Sequence, residues 1–202
     1  MEKIIFHKET KTFHLYNEEI SYIMCVLENG HMGQLYYGKR IHDKPDLSYL
    51  VEKCGRPMTS YIFEGDRSFS LEHIRQEYPV YGTTDYRHPA IEIMQENGSN
   101  ISEFKYVGYE ILKGKPSLKG LPATYTESEE EAETLKIILK DSLTGAKLTL
   151  LYTIFSKGSA IARSAHICNE GEKVLHLQTM MSLNLDLPDK DYVWMQLSGA
   201  WS

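Results

Sequence analysis

Alternation of apolar and polar residues at a period of two is the feature that most narrows what this chain can fold into. Between Val174 and Leu187, Leu175, Leu177, Met181, Leu183, Leu185 and Leu187 share one parity, while His176, Gln178, Ser182, Asn184 and Asp186 share the other. Thr179 and Met180 break the rule. Successive side chains point to opposite faces of a strand, so the pattern predicts one long strand with a wet face and a dry face. Wound as a helix, the same leucines would spread all round the axis. Leu135, Ile137 and Leu139 alternate with Lys136 and Lys140, and Leu148, Leu150, Tyr152 and Ile154 alternate with Thr149 and Thr153. Ile20 to Leu27 is apolar on both parities, which predicts a strand covered on both faces. Phe104 to Leu112, Ala160 to Ile167 and Tyr192 to Leu197 read as further strands. Turn signals separate them at Asn29-Gly30, Glu96-Asn97-Gly98, Thr144-Gly145, Lys157-Gly158 and Glu170-Gly171. The predicted fold class is all-β: a large antiparallel β-sandwich with long loops and at most short helices, as one domain over residues 1–202.

Two stretches escape the alternation. Asp43 to Tyr86 carries Pro45, Pro57, Pro79 and a set of tyrosines, and reads as a long surface excursion. Its aromatics argue for order, because disordered segments are poor in them. A short helix is predicted over Phe69 to Gln76, with Ser70 as its N-cap. Lys113 to Thr134 is the second excursion, and its acidic run of Glu127, Glu129, Glu130, Glu131 and Glu133 reads as a solvated loop or strand entry.

Composition bounds the partners. The chain has 202 residues and a net charge of −6. That acidic balance argues against nucleic acid, which needs a basic footprint. No apolar run approaches the roughly 20 residues of a membrane helix, so no membrane partner is expected. Cys25, Cys54 and Cys168 are an odd, widely spaced set, which fits a reducing cytoplasm better than a disulfide framework. Eight histidines show no metal-ligand spacing, and no nucleotide-binding or hydrolase motif is present, so no cofactor and no metal are expected. Carboxylates are plentiful, but no spacing singles out a catalytic pair. The run from Gln76 to Pro89 mixes Tyr78, Tyr81 and Tyr86 with Asp85 and Arg87. Such a surface suits a protein interface, a sugar site, or the packing of the loop onto the sandwich.

Several runs resemble bacterial family 36 α-galactosidases, in order along the whole chain. They are Phe13-His14-Leu15, Ser21-Tyr22-Ile23-Met24, Tyr36-Tyr37-Gly38-Lys39, Arg67-Ser68-Phe69-Ser70-Leu71, Gln76-Glu77-Tyr78-Pro79, Tyr81 to Arg87, Lys113 to Pro116, Gly120 to Tyr125, Glu131 to Leu135, and Leu197-Ser198-Gly199-Ala200-Trp201. The resemblance implies an N-terminal β-supersandwich that precedes a (β/α)8 barrel and a small C-terminal β domain. The barrel would hold the two aspartates of a retaining mechanism, so no catalytic residue is expected within these residues. It further implies that Trp201, in the Gly-Ala-Trp run, lines a galactoside pocket. Glu52, in Val51-Glu52-Lys53, stands nearest to the family's acidic pocket residue, with Glu in place of the usual Asp. Arg67 is expected to shape the loop by pairing with a carboxylate. Tyr78, Tyr81, Asp85, Tyr86 and Arg87 are expected to shape the loop or to meet another subunit, since family members are often homo-oligomers, commonly tetramers. An independent carbohydrate-binding module and a purely structural oligomerisation domain are the competing readings.

Overall fold

A computed structural model describes residues 3–58, 60–120 and 123–199. Ten strands run in order: β1 (Ile4–His7), β2 (Thr12–Tyr16), β3 (Ile20–Val26), β4 (Met32–Lys39), β5 (Ile91–Gln95), β6 (Phe104–Lys113), β7 (Ala132–Asp141), β8 (Ala146–Phe155), β9 (Ile161–Asn169) and β10 (Leu175–Met180). They form three antiparallel sheets, β1-β2-β3-β4, β6-β7-β8-β9 and the pair β10-β5. Short 3-10 turns at Ser48–Leu50 and Glu129–Glu131 are the helical elements among the described residues. The all-β expectation holds.

The alternating residues build the core. Leu135, Ile137 and Leu139 of β7 lie opposite Tyr152, Leu150 and Leu148 of β8, and all six are buried. They meet Phe13 and Leu15 of β2, Tyr22 and Met24 of β3, and Ile91 and Ile93 of β5 in one apolar cluster. Phe6 stacks on Phe13 with ring centroids 4.4 Å apart, and Tyr109 of β6 meets Phe13 edge-on at 5.1 Å.

The two-sided burial expected of Ile20 to Leu27 is also present. Its other parity, Ile23, Cys25 and Leu27, joins Leu35 in a second cluster closed by Leu47, Phe69, Leu71 and Ile74. Those last four residues belong to the 43–86 excursion, which thus forms a further layer on the first sheet.

Three local expectations are corrected. Over Phe69 to Gln76 the structure makes one turn rather than a helix. The Ser70 carbonyl accepts from the Ile74 N–H at 3.3 Å, and the Ser70 hydroxyl accepts from the Glu72 N–H at 3.3 Å. The chain then pairs with β4: Gln34 N–H donates to the Arg75 carbonyl at 3.0 Å, and Glu77 N–H to the Met32 carbonyl at 2.9 Å. Sheet bonds take the groups that a second helical turn would need.

The long strand from Val174 to Leu187 ends at Met180. A bulge between Leu177 and Thr179 shifts its register against β5. An extra residue in one strand exchanges the faces, so Leu175 and Met180 both pack on the core despite opposite parity. Met181 N–H still donates to the Ala90 carbonyl at 2.8 Å; beyond it side chains take over: Asn184 Nδ2 donates to the Gln76 carbonyl at 3.0 Å, and the Asp186 N–H donates to Gln34 Oε1 at 3.3 Å. Tyr192 to Leu197 forms no strand, and Val193, Trp194, Met195 and Leu197 are exposed. A strand exists only where another backbone satisfies its amides, and among the described residues none runs alongside.

At the far end, the β7–β8 turn touches the β9–β10 turn. Gly145 sits at φ +75°, and a Cβ there would lie 2.8 Å from the Gly171 Cα.

Leu135→Ala is expected to lower the stability of the chain by about 2–5 kcal/mol, the cost of a fully buried cavity. Leu143→Ala, at an 80% exposed position, is expected to stay within about 0.5 kcal/mol. Urea unfolding followed by tyrosine fluorescence measures both.

Candidate functional site

The pairing of Arg75 to Glu77 with β4 drives the Glu77 side chain between the two large sheets. Its carboxylate, fully buried, accepts from the Tyr22 hydroxyl at 2.7 and 2.9 Å and from the Tyr152 hydroxyl at 2.8 Å. Arg163 of β9 completes the group: Nη2 lies 3.2 Å from Glu77 Oε2, and the guanidinium stands over the Tyr152 ring at 4.6 Å. Arg163 also donates to the Asn184 carbonyl at 2.9 Å and to the Glu77 carbonyl at 3.2 Å. Burial, reinforced by the Glu77 charge, raises the Tyr22 and Tyr152 phenols well above their usual range. Both therefore stay protonated and donate. Burial works against the Arg163 charge, but Tyr152 and Glu77 beside it raise its pKa, so it stays charged. A cleft of about 250 Å³ opens beside this group, lined by Tyr22, Tyr37, Ile161, Arg163, Leu183 and Leu185.

A second polar group abuts the first. Gln76 Nε2 donates to Asp85 Oδ2 at 2.7 Å, and Gln76 Oε1 faces His31 Nδ1 at 3.1 Å. Arg87 grips Asp85 with two bonds of 2.9 Å, from Nε to Oδ1 and from Nη2 to Oδ2. It also donates to the Leu71 and Ile74 carbonyls at 3.0 and 3.2 Å. The hydrogen bonds to Asp85 raise the Arg87 pKa, while burial lowers that of His31. Asp85 closes a two-residue hairpin whose Gly82 and Asp85 backbones exchange bonds of 2.8 and 3.0 Å. Its central residues, Thr83 and Thr84, stand at φ +51° and +77°. That geometry belongs to Asn-Gly turns and is strained for a β-branched residue.

Both carboxylates are buried and engaged by donors, so they hold the fold. Burial pushes the Cys25 thiol up to about 12, which leaves it inert. Among the described residues, no three His, Cys, Asp or Glu side chains converge to hold a metal.

The sequence profile of the glycosyl hydrolase family 36 N-terminal domain matches residues 30–202. This chain belongs to that family. It is 41% identical to α-galactosidase AgaA of Geobacillus stearothermophilus over 98% of its own length and 27% of that protein. With α-galactosidase Mel36A of Lactobacillus acidophilus it shares 35% identity over 98% of its length and 27% of that protein. The crystal structure of the α-galactosidase from Lactobacillus brevis superposes with a TM-score of 0.88 at 38% identity, covering 92% of this chain and 25% of that one. A variant of AgaA crystallised in complex with raffinose superposes with a TM-score of 0.81 at 42% identity, over 86% of this chain and 24% of that one. The chain thus spans about a quarter of the length of the relatives it matches.

Within this family 36 N-terminal domain, the residues singled out from sequence fall in three places. Trp201 lies outside the described residues. Glu52 and Arg67 are exposed on the first excursion, and among the described residues Arg67 makes no ion pair. The loop is shaped there by its neighbour: Asp66 Oδ1 accepts from the Ser68 N–H at 2.8 Å and the Ser68 hydroxyl at 2.6 Å. Tyr78 is buried and donates its hydroxyl to the Met181 carbonyl. Tyr81 and Tyr86 meet edge to face at 5.5 Å, and Asp85 pairs with Arg87. Tyr86 and Arg87 carry the exposed surface of this set. Glu77, Arg163, Tyr22 and Tyr152 were not singled out, although a lone arginine inside the β9 pattern was a visible signal.

Glu77→Gln is expected to destabilise the domain by about 3–5 kcal/mol, because Arg163 is left buried without its counter-charge. Replacing Thr83-Thr84 by Asn-Gly is expected to add about 1 kcal/mol by relieving two strained φ angles. That gain corresponds to about 2–4 °C in thermal midpoint for a chain of this size. Calorimetry of the three proteins checks both signs.

Proposed function

We propose that these residues are the N-terminal β-domain of an α-galactosidase that removes terminal α-linked galactose from raffinose- and melibiose-type oligosaccharides with retention of configuration. The observation that carries this reading is alignment at 41% identity along nearly the whole chain with one α-galactosidase, AgaA. On this reading the two catalytic carboxylates lie in a (β/α)8 barrel outside residues 1–202. The domain contributes Trp201 and Glu52 to the rim of the galactoside pocket. An indole suits that role by offering a flat apolar face and one N–H donor.

Structural observations support the proposal. A retaining pair needs two carboxylates about 5–5.5 Å apart across an open sugar site, whereas Glu77 and Asp85 are buried and engaged by donors. The exposed run of Val193, Trp194, Met195 and Leu197 is apolar surface that calls for cover, as a domain junction would supply. The exposed Tyr86 and Arg87 suit a subunit contact, in line with a homo-oligomer, commonly a tetramer. Cys25, Cys54 and Cys168 are all free, which fits a cytoplasmic enzyme. Among the described residues no helix is long and apolar enough to cross a membrane.

Assay of the full-length protein and of residues 1–202 on a chromogenic α-galactoside tests the reading. The long protein is expected to turn over and the short one to be silent; activity in the short chain would overturn it. In the full-length protein, Trp201→Ala and Glu52→Gln are each expected to raise KM about tenfold, a loss of about 1.4 kcal/mol of binding. Galactoside binding by the isolated domain would favour a carbohydrate-binding module instead. Unchanged KM and kcat in both variants would favour a purely structural domain.

A further inference from the structure

A Ser–His–Asp relay lies on the outer face of the first sheet, at the root of the first excursion. The Ile41 N–H donates to Ser21 Oγ at 3.0 Å, Ser21 Oγ lies 2.9 Å from His14 Nε2, and His14 Nδ1 lies 2.7 Å from Asp43 Oδ1. His7 Nε2 reaches the same carboxylate oxygen at 2.9 Å. With Ser21 accepting from Ile41, its O–H donates to Nε2, and the neutral His14 donates from Nδ1–H to Asp43. Ser21 and His14 are fully buried, so no substrate carbonyl can approach the hydroxyl and the relay is not a nucleophile.

It holds a loop. Asp43 stands where the chain leaves the sheet toward Glu52. Beyond it, Thr10 donates to the Pro45 carbonyl at 3.3 Å, and the exposed pair Lys53–Glu28 closes at 2.7 Å. Between loop and sheet lies a cleft of about 320 Å³, bounded by Ser48, Val51 and Lys53 above and by Thr12, Cys25 and Leu27 below. A loop lying over a cleft depends on its ties.

We propose that His14 and Asp43 are positioning residues that clamp the loop carrying Glu52, and that a proton taken up by His14 opens the clamp. The link to Glu52 rests on the pocket role proposed above; the clamp itself does not.

The complete burial of His14 sets this direction. His7 from β1 and Arg40 from the end of β4 face it with positive or potentially positive charge, Asp43 is the one carboxylate, and the Tyr16 ring lies 5.0 Å away on β2. Burial lowers the His14 pKa from 6.5, outweighing the hydrogen bond to Asp43. Burial alone would raise Asp43, but the hydrogen bonds from His7 and His14 bring it below 3.8. As pH falls below 6.5, the open loop binds a proton that the closed loop refuses, so the closed state weakens. Asp43 adds the same sign at lower pH, since its contribution is lost as pH falls through its lowered pKa.

Hydrogen exchange of the full-length protein, read at peptides spanning Leu50, Val51 and Cys54, tests the clamp. These amides donate to the Leu47, Ser48 and Ser68 carbonyls when the loop is closed. After correction for intrinsic exchange, wild-type protection is expected to fall by up to about tenfold per pH unit below pH 6.5, the limit for one proton. Asp43→Ala is expected to lose about tenfold or more of the protection at pH 7.5 and to become flat with pH. His14→Gln, whose amide can bond both Ser21 and Asp43 without titrating, is expected to stay protected and flat. Wild-type protection in Asp43→Ala, or an unchanged pH slope in His14→Gln, overturns the clamp. The KM for an α-galactoside should track loop opening while kcat at saturation stays level. A loop that opens on cue with KM unmoved overturns the Glu52 reading and leaves the clamp standing.

Discussion

The Glu77 carboxylate is the interaction on which the rest of the structure depends. It sits where two sheets would otherwise meet through apolar side chains alone, and it binds one to the other through Tyr22 of β3, Tyr152 of β8 and Arg163 of β9. A buried ion pair is a poor source of net stability, because desolvation offsets most of the attraction. What it supplies is registry. Hydrophobic faces can slide over one another, whereas a carboxylate with three directional partners fits in one place. The same node reaches the 182–187 segment through the bond from Arg163 to the Asn184 carbonyl. It therefore also directs the chain leaving β10.

Burial on both faces of the first sheet explains how a β-domain can carry long loops without losing order. Tyr22 and Met24 point to the sheet–sheet core, while Ile23 and Cys25 point to a layer made from the excursion itself. The excursion is thus anchored at Leu47 and at Phe69, Leu71 and Ile74, with Leu50 and Val51 half-buried against the same cluster and Lys53 paired to Glu28 between. Glu52 lies in that span. Loops set on a rigid scaffold in this way are where binding residues commonly sit.

Much of this architecture was legible in the sequence, and the exceptions have physical causes. Leu135 to Leu139 and Leu148 to Ile154 were readable because each residue answers only to its own strand's pleat. Thr179 and Met180 broke the pattern, and the bulge between Leu177 and Thr179 makes that break meaningful: the exception marked the register shift itself. Phe69 to Gln76 read as a helix because its cap and spacing are local, whereas the pairing of Gly33 with Gln76 that overrides it is not. Glu77 was quoted only as part of a motif. Its partners lie 55 and 75 residues away in Tyr22 and Tyr152, and a single sequence carries no trace of that encounter. The family resemblance was legible along the whole chain, whereas Trp201, to which it assigns a pocket role, lies outside the described residues.

Carboxylates in this domain show that environment, not residue type, decides chemistry. Glu77 and Asp85 are buried and engaged by donors, so they act as fixed anchors. Asp43 has a side chain 29% exposed and serves two histidines, which leaves it partly open to water and to protons. Glu52 is exposed on a loop. A carboxylate can recognise a sugar only while its lone pairs are unclaimed, and it can respond to pH only while a proton can reach it. Those conditions exclude buried acids such as Glu77 and Asp85 and leave the less constrained ones. Function in such a domain is therefore expected at the places where the packing lets go.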